Sequence, residues 1–152
     1  ISLDGKTKVK RNTPTLMNIA FQRAFFYDSK VSYLEDQAVA VITNEIEMHG
    51  SLEKSVKALK NDKKYVAEFK KAFPKNEINE FGIKNALASY VRSLSQYNSK
   101  FDAYIRDEVD YSTDEKAGFN LFAGKAKCAT CHFIPLTNGT VPTNLKKTES
   151  EN

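Results

Sequence analysis

Ile83, Ala86, Leu87, Tyr90, Val91 and Leu94 stand at i, i+3, i+4, i+7, i+8 and i+11, so a helix over this stretch gathers all six on one stripe. A strand would send half of them to the opposite face. The same three-and-four spacing recurs along the chain, and Gly and Pro are confined to a few places, so the sequence predicts an all-α protein. A first short helix is expected after Thr13, with Thr13 as cap, Pro14 at the first helical position and Leu16, Met17, Ile19 and Ala20 along it. Ser32-Tyr33-Leu34-Glu35 has the Ser-x-x-Glu form of a capping box and predicts a helix to about Ile42, then a loop from Thr43 to Gly50. Ser51 and Asp62 should cap two more helices, one with Leu52, Val56 and Leu59 inward, the other with Tyr65, Val66, Phe69 and Phe73 inward and Pro74 at its end. Ser99 should cap a short helix through Phe101 and Ile105. Ser112-Thr113-Asp114-Glu115 is a second capping box, opening a helix that carries Phe119 and Phe122 and stops near Gly124. Beyond His132 the periodicity is lost, and the chain runs out in a polar tail from Lys146 to Asn152.

At 152 residues, 41% hydrophobic and 28% charged, the chain can bury roughly 70% of its unfolded surface, which argues against disorder. The longest apolar run, Ala38 to Ile42, is far short of the roughly 20 residues that cross a bilayer, so no membrane span is predicted. The formal charge of +4 is mild and spread along the chain, which gives no footing for a nucleic-acid partner. The lysines at 54, 57, 60, 63, 64, 70, 71 and 75 read as the solvated faces of two amphipathic helices rather than as a docking patch. Residue 1 is Ile and no apolar leader follows it, so a trimmed product or an excised piece is expected, whose ends need not be domain ends.

The two cysteines lie in Cys128-Ala129-Thr130-Cys131-His132. Three residues apart, they close no useful loop as a disulfide, so their purpose is chemistry or ligation. C-x-x-C-H is the attachment signature of c-type haem: two thiols at this spacing can form thioethers to the two vinyl groups while the adjacent imidazole reaches the iron. A dithiol redox motif would prefer a βαβ setting, and no strand precedes these cysteines. A zinc site would need further ligands, for which His49 is the remaining candidate. Haem c, attached at Cys128 and Cys131 with His132 as axial ligand, is therefore the predicted cofactor. Such attachment is completed outside the cytoplasm, which predicts a periplasmic protein. No Met or His follows His132; Met17, Met48 and His49 remain, and each is explained otherwise, Met17 as core on a short helix and Met48 and His49 as loop residues, so the second axial ligand is expected beyond the end of the chain.

Beyond this motif, segments resemble the bacterial dihaem cytochrome c peroxidase family, which includes the MauG-like enzymes. They occur in the family's order: Arg11-Asn12-Thr13-Pro14-Thr15-Leu16, Phe25-Phe26-Tyr27-Asp28, Leu34-Glu35-Asp36-Gln37-Ala38, Glu45-Ile46-Glu47-Met48, Phe69-Lys70-Lys71-Ala72-Phe73-Pro74, Phe101-Asp102-Ala103-Tyr104 and Gly118-Phe119-Asn120-Leu121-Phe122. The resemblance implies cytochrome c-like helical domains, with residues 1–97 the helical remainder of a peroxidatic domain lacking its haem motif. Residues 98–152 would open the second, electron-transfer domain. The peroxidatic haem c would belong to chain preceding residue 1.

The implied activity is reduction of hydrogen peroxide to water, with electrons from a small donor protein, a cytochrome c or a cupredoxin. Gln37 and Glu47, ten residues apart, match the family's peroxide-pocket amide and carboxylate. Tyr27 stands where the family usually has a Trp between the haems. Asn12 matches a residue that helps bind an interdomain calcium, and a homodimer of the parent enzyme is left open. Three family features are missing here: the first haem motif, the His that can occupy the distal side of the peroxidatic haem, and the Met that usually completes the second haem's coordination. His49 is also unusual at its place. The chain by itself is therefore expected to be an incompetent peroxidase. The rival readings are a non-enzymatic electron carrier or sensor, and a MauG-like oxidase of a partner protein.

Overall fold

Most helices begin where a short polar side chain can answer the free N–H groups of a first turn. The computed structural model describes residues 5, 6, 8, 9, 12–75 and 77–138, so the polar tail from Lys146 lies outside the described residues. Among them are six α-helices and no strand, in agreement with the all-α expectation. They are α1 (Leu34–Thr43), α2 (Leu52–Asn61), α3 (Lys63–Ala72), α4 (Glu80–Ser93), α5 (Lys100–Ile105) and α6 (Thr113–Ala123). Ser51 caps α2 and Asp62 caps α3 as predicted, and Ser99 and Ser112 form full capping boxes with Asp102 and Glu115. Asn79 adds a cap to α4 by accepting from the Gly82 N–H at 2.8 Å.

Two expected starts differ. Residues 14–17 are not helical, and Ile19–Phe21 form a single 3-10 turn. Thr15 Oγ1 takes the Met17 N–H at 3.0 Å, a local bond that competes with a helix, and Asn18 is left-handed at φ 60°. Leu16 and Met17 are exposed instead of carrying a helix face. The Ser32 capping box does not form: Tyr33 is the N-cap, its carbonyl accepting from Asp36 and Gln37. Glu35, which would have completed the box, is held by Arg92 of α4 at 2.8 Å.

The core lies where α1 crosses α4: Ile19, Phe25, Leu34, Ala88 and Val91 are buried together, with Phe26 and Val31 against them. The buried side of α4 is not the whole predicted stripe, since Leu87 and Tyr90 are exposed and Ala88 is buried instead. The cause is electrostatic and steric together. Lys84 pairs with Asp36 and Arg92 with Glu35, and these two cations sit at i and i+8 with Ala88 midway, so the edge facing α1 is theirs. A small residue at 88 lets the helices approach. α3 carries no buried residue; Tyr65 and Val66 are exposed, against expectation, while Phe69 and Phe73 are half-buried and in ring contact at 5.0 Å. Phe69 lies over Gly82, where an added Cβ would come within 2.9 Å of its ring. All eight lysines of residues 54–75 are exposed.

The Glu35–Arg92 pair carries a pH prediction. The Arg92 guanidinium, by its hydrogen bond and its charge, holds the Glu35 carboxyl below its ordinary 4.5 against the opposing effect of partial burial. A folded-state value below the unfolded one contributes stability that is present above 4.5 and is lost as pH falls through the folded value. Arg92→Ala should return Glu35 to about its ordinary value in an NMR titration and flatten the acid limb of the stability profile. An unchanged titration would show that the pair is not formed in solution.

Candidate haem and peroxide sites

α6 ends where the Gly124 N–H bonds the Asn120 carbonyl at 2.9 Å; a Cβ at Gly124 would lie 2.8 Å from that oxygen. Lys127 then turns left-handed and Cys128–Thr130 make one 3-10 turn. The Cys128 carbonyl accepts from both Cys131 N–H (3.2 Å) and His132 N–H (2.9 Å), which folds the two cysteines and the histidine into one short loop. Both thiols are exposed and free.

His132 Nδ1 lies 2.8 Å from the carbonyl of Thr137. A carbonyl only accepts, so Nδ1 carries the proton and Nε2 keeps its lone pair for a metal. Thr137 is itself held, left-handed at φ 49°, by its N–H on the Phe133 carbonyl at 2.6 Å. Sequence reasoning missed Thr137, because what it supplies is a backbone oxygen placed by a turn. Two accessible thiols and an imidazole oriented through its other nitrogen fit haem c. Zinc is offered no closed donor set: among the described residues no three His, Cys, Asp or Glu side chains converge, and His49 does not join the cysteines.

An open cleft of about 660 Å³ adjoins this loop; Phe101, Phe119, Phe122, Pro135, Leu136 and Thr137 line it together with Asn18, Gln96 and Tyr97. Asn18 ties three of these residues together: its Oδ1 accepts from the Gln96 N–H at 2.6 Å and its carbonyl from the Tyr97 hydroxyl at 3.4 Å. Burial, with the negative charge of Asp102, pushes the Tyr97 phenol up. Arg106 donates to the Tyr97 carbonyl at 2.9 Å and makes two 2.8 Å bonds to Glu108.

The residues expected to serve peroxide lie elsewhere, on α1 and the loop after it. Gln37 is half-buried in the first turn of α1. Glu47 is half-buried in a turn built on Asn44, whose carbonyl accepts from Glu47 N–H (3.1 Å) and His49 N–H (2.8 Å) and whose Oδ1 accepts from Ile46 N–H (3.1 Å). Gly50 N–H on the Ile42 carbonyl at 2.7 Å closes the loop back onto α1. No hydrogen bond joins the Gln37 and Glu47 side chains. Met48 and His49 are exposed, with His49 left-handed at φ 46°. Tyr27 is 79% exposed, at the tip of a narrow hairpin closed by Phe25 N–H on the Val31 carbonyl at 2.8 Å. Phe25 anchors that hairpin in the core, and Lys30 lies 4.5 Å from the Phe26 ring centroid. Asn12 is exposed in an irregular segment.

The family model for di-haem cytochrome c peroxidase matches residues 2–110. The methylamine utilization protein MauG of Methylorubrum extorquens is 38% identical over 130 residues, covering 84% of this chain and 37% of that protein. The cytochrome c551 peroxidase of Nitrosomonas europaea is 33% identical over 130 residues, covering 85% of this chain and 39% of that one. The crystal structure of a MauG-like protein associated with microbial copper homeostasis superposes with a TM-score of 0.77 at 25% identity, covering 97% of this chain and 45% of that one. The chain thus spans less than half the length of the relatives it matches. Its helical order, its C-x-x-C-H loop and the match over residues 2–110 have one meaning: the chain belongs to the dihaem cytochrome c peroxidase family, in which the MauG-like proteins are included.

Proposed function

We propose that this chain is part of an enzyme that reduces hydrogen peroxide to water, taking electrons from a small cytochrome c or cupredoxin through a c-type haem at Cys128, Cys131 and His132. The observation that carries the reading is the 2.8 Å contact between His132 Nδ1 and the Thr137 carbonyl, which leaves Nε2 available to ligate a haem iron. The haem, when bound, would supply a redox-active iron; Cys128 and Cys131 would hold it covalently, and His132 would ligate it. In the parent, residues 1–97 belong to the peroxidatic domain and residues 98–152 open the electron-transfer domain. The family's second haem c would be held by a part of the parent protein outside these residues.

Gln37 and Glu47 serve the peroxide. Reduction takes two electrons and two protons per peroxide and gives two waters. Glu47 takes a proton from the bound peroxide and returns it to the departing oxygen, and the Gln37 amide holds the substrate by hydrogen bonds. The Asn44-centred turn supports this role by holding the Glu47 backbone on two sides. Asn12 contributes one oxygen to a calcium whose remaining oxygens come from outside this chain. Covalent haem places the protein in the periplasm, and among the described residues no helix is long and apolar enough to cross a membrane. The 38% identity to MauG supports one second reading, in which the oxidising equivalents pass to a partner protein.

The test is a titration of the full-length, haem-loaded protein with peroxide in the presence of reduced donor. Two donor equivalents oxidised per peroxide, over many turnovers, is the expected result. Peroxide consumption without matching donor oxidation favours the partner-oxidising reading, and no turnover favours a carrier or sensor.

A further inference from the structure

Tyr104 and Tyr111 stack face to face, with ring centroids 4.0 Å apart and planes 4° from parallel. The turn after α5 makes this contact. Asp107 is left-handed at φ 58°, its N–H bonds the Tyr104 carbonyl at 3.0 Å, and Glu108 N–H bonds the Ala103 carbonyl at 2.9 Å. Arg106, clamped between Glu108 and the Tyr97 carbonyl, holds the turn from outside. Phe119 of α6 meets the Tyr104 ring edge-on at 6.2 Å, and both Phe119 and Tyr111 line the cleft beside the haem loop.

Tyr104 and Tyr111 are both half-buried, and neither phenolic oxygen has a hydrogen-bond partner among the described residues. Two phenylalanines would stack equally well; the two hydroxyls are open to water and make each stacked ring an oxidisable phenol. Lys100 Nζ lies 5.6 Å from the Tyr111 ring centroid while ion-paired to Glu115 at 2.6 Å, and the charge of Lys116, ion-paired to Asp110 at 2.7 Å, is felt at Tyr104. An oxidised phenol is a strong acid, so loss of an electron goes with loss of the phenolic proton to water.

We infer that Tyr104 and Tyr111 are an oxidisable pair that takes up oxidising equivalents passed from the peroxide site to the haem loop beside this cleft, and closes into a dityrosine when reduced donor is exhausted. This rests on the proposed haem at Cys128, Cys131 and His132, with hydrogen peroxide as the oxidant. The balance closes. Each phenol gives one electron and its hydroxyl proton, a carbon–carbon bond forms between ortho positions, and the two ortho hydrogens return to the phenolic oxygens. The two electrons and two protons released reduce one peroxide to two waters.

The full-length, haem-loaded protein is treated with equimolar peroxide without donor, digested with trypsin and mapped by mass spectrometry. Cleavage after Lys100, Arg106 and Lys116 puts Tyr104 in peptide 101–106 and Tyr111 in peptide 107–116. The expected product joins these two peptides with loss of two hydrogens, and it is absent from both Tyr104→Phe and Tyr111→Phe. Oxidation confined to Tyr27, Tyr33, Tyr65, Tyr90 or Tyr97, or a cross-link that survives Tyr104→Phe, would overturn the inference. A haemochrome spectrum of the same sample separates the two claims. If haem is absent at Cys128 and Cys131, the proposed function fails. Photo-oxidation of that protein by a ruthenium(III) polypyridyl complex then decides the pair, the 101–106/107–116 product supporting it and its absence overturning it.

Discussion

Replacing Glu47 with Gln in the full-length protein is expected to lower peroxide turnover by about 10²–10⁴-fold, the usual contribution of a positioned acid–base group. Gln keeps the size and the hydrogen-bonding edge of Glu but cannot carry the proton between the two peroxide oxygens. The backbone of residue 47 is held through its own N–H on Asn44, which the substitution leaves alone, so helix content and haem spectrum should be unchanged. Steady-state peroxide consumption with saturating donor is the measurement. Unchanged turnover would remove Glu47 from the chemistry and leave the carrier or sensor reading in front. Gln37→Ala should act differently, chiefly on the peroxide concentration needed for half-maximal rate, because an amide positions substrate without moving its proton.

The second large effect concerns attachment. Cys128→Ala combined with Cys131→Ala should abolish covalent haem at this loop and halve the c-type haem of the full-length protein. Donor-driven turnover should fall with it if, as proposed, electrons enter through this centre. Haem staining of a denaturing gel, after trypsin has separated the halves of the protein, reads the loss directly. The loop gives the reason for expecting so complete an effect. The Cys128 carbonyl and the Thr137 carbonyl arrange the histidine, but only the thiols make bonds that survive unfolding. Retention of covalent haem on the fragment containing residues 128–132 would contradict the assignment.

What could be read beforehand was local. Ser51, Asp62, Ser99 and Ser112 cap helices because a side chain two or three residues from a free N–H needs no tertiary structure to find it. Where a competing local bond or a distant partner intervened, the pattern misled. Thr15 and the left-handed Asn18 stop the helix that Pro14 predicts, and Arg92 draws Glu35 out of its capping box. On α4 the periodicity was right and the buried edge was set by Lys84, Ala88 and Arg92 facing α1, which apolar spacing cannot report. Cys128, Cys131 and His132 were legible as a motif. The Thr137 carbonyl that orients His132 was not, because a backbone acceptor has no residue-type signature. Gln37 and Glu47 are ordinary residues in composition and spacing, and only the family resemblance singled them out. The Tyr104–Tyr111 stack depends on a left-handed Asp107, a conformation that non-glycine residues adopt too rarely to be inferred from the sequence.

The most direct test is the pyridine haemochrome spectrum of the full-length protein matured in a periplasm, with protein concentration measured independently. Two c-type haems per chain, one of them on the peptide containing Cys128, Cys131 and His132, is the expected result. A single haem per chain, or none on that peptide, would contradict the dihaem peroxidase reading.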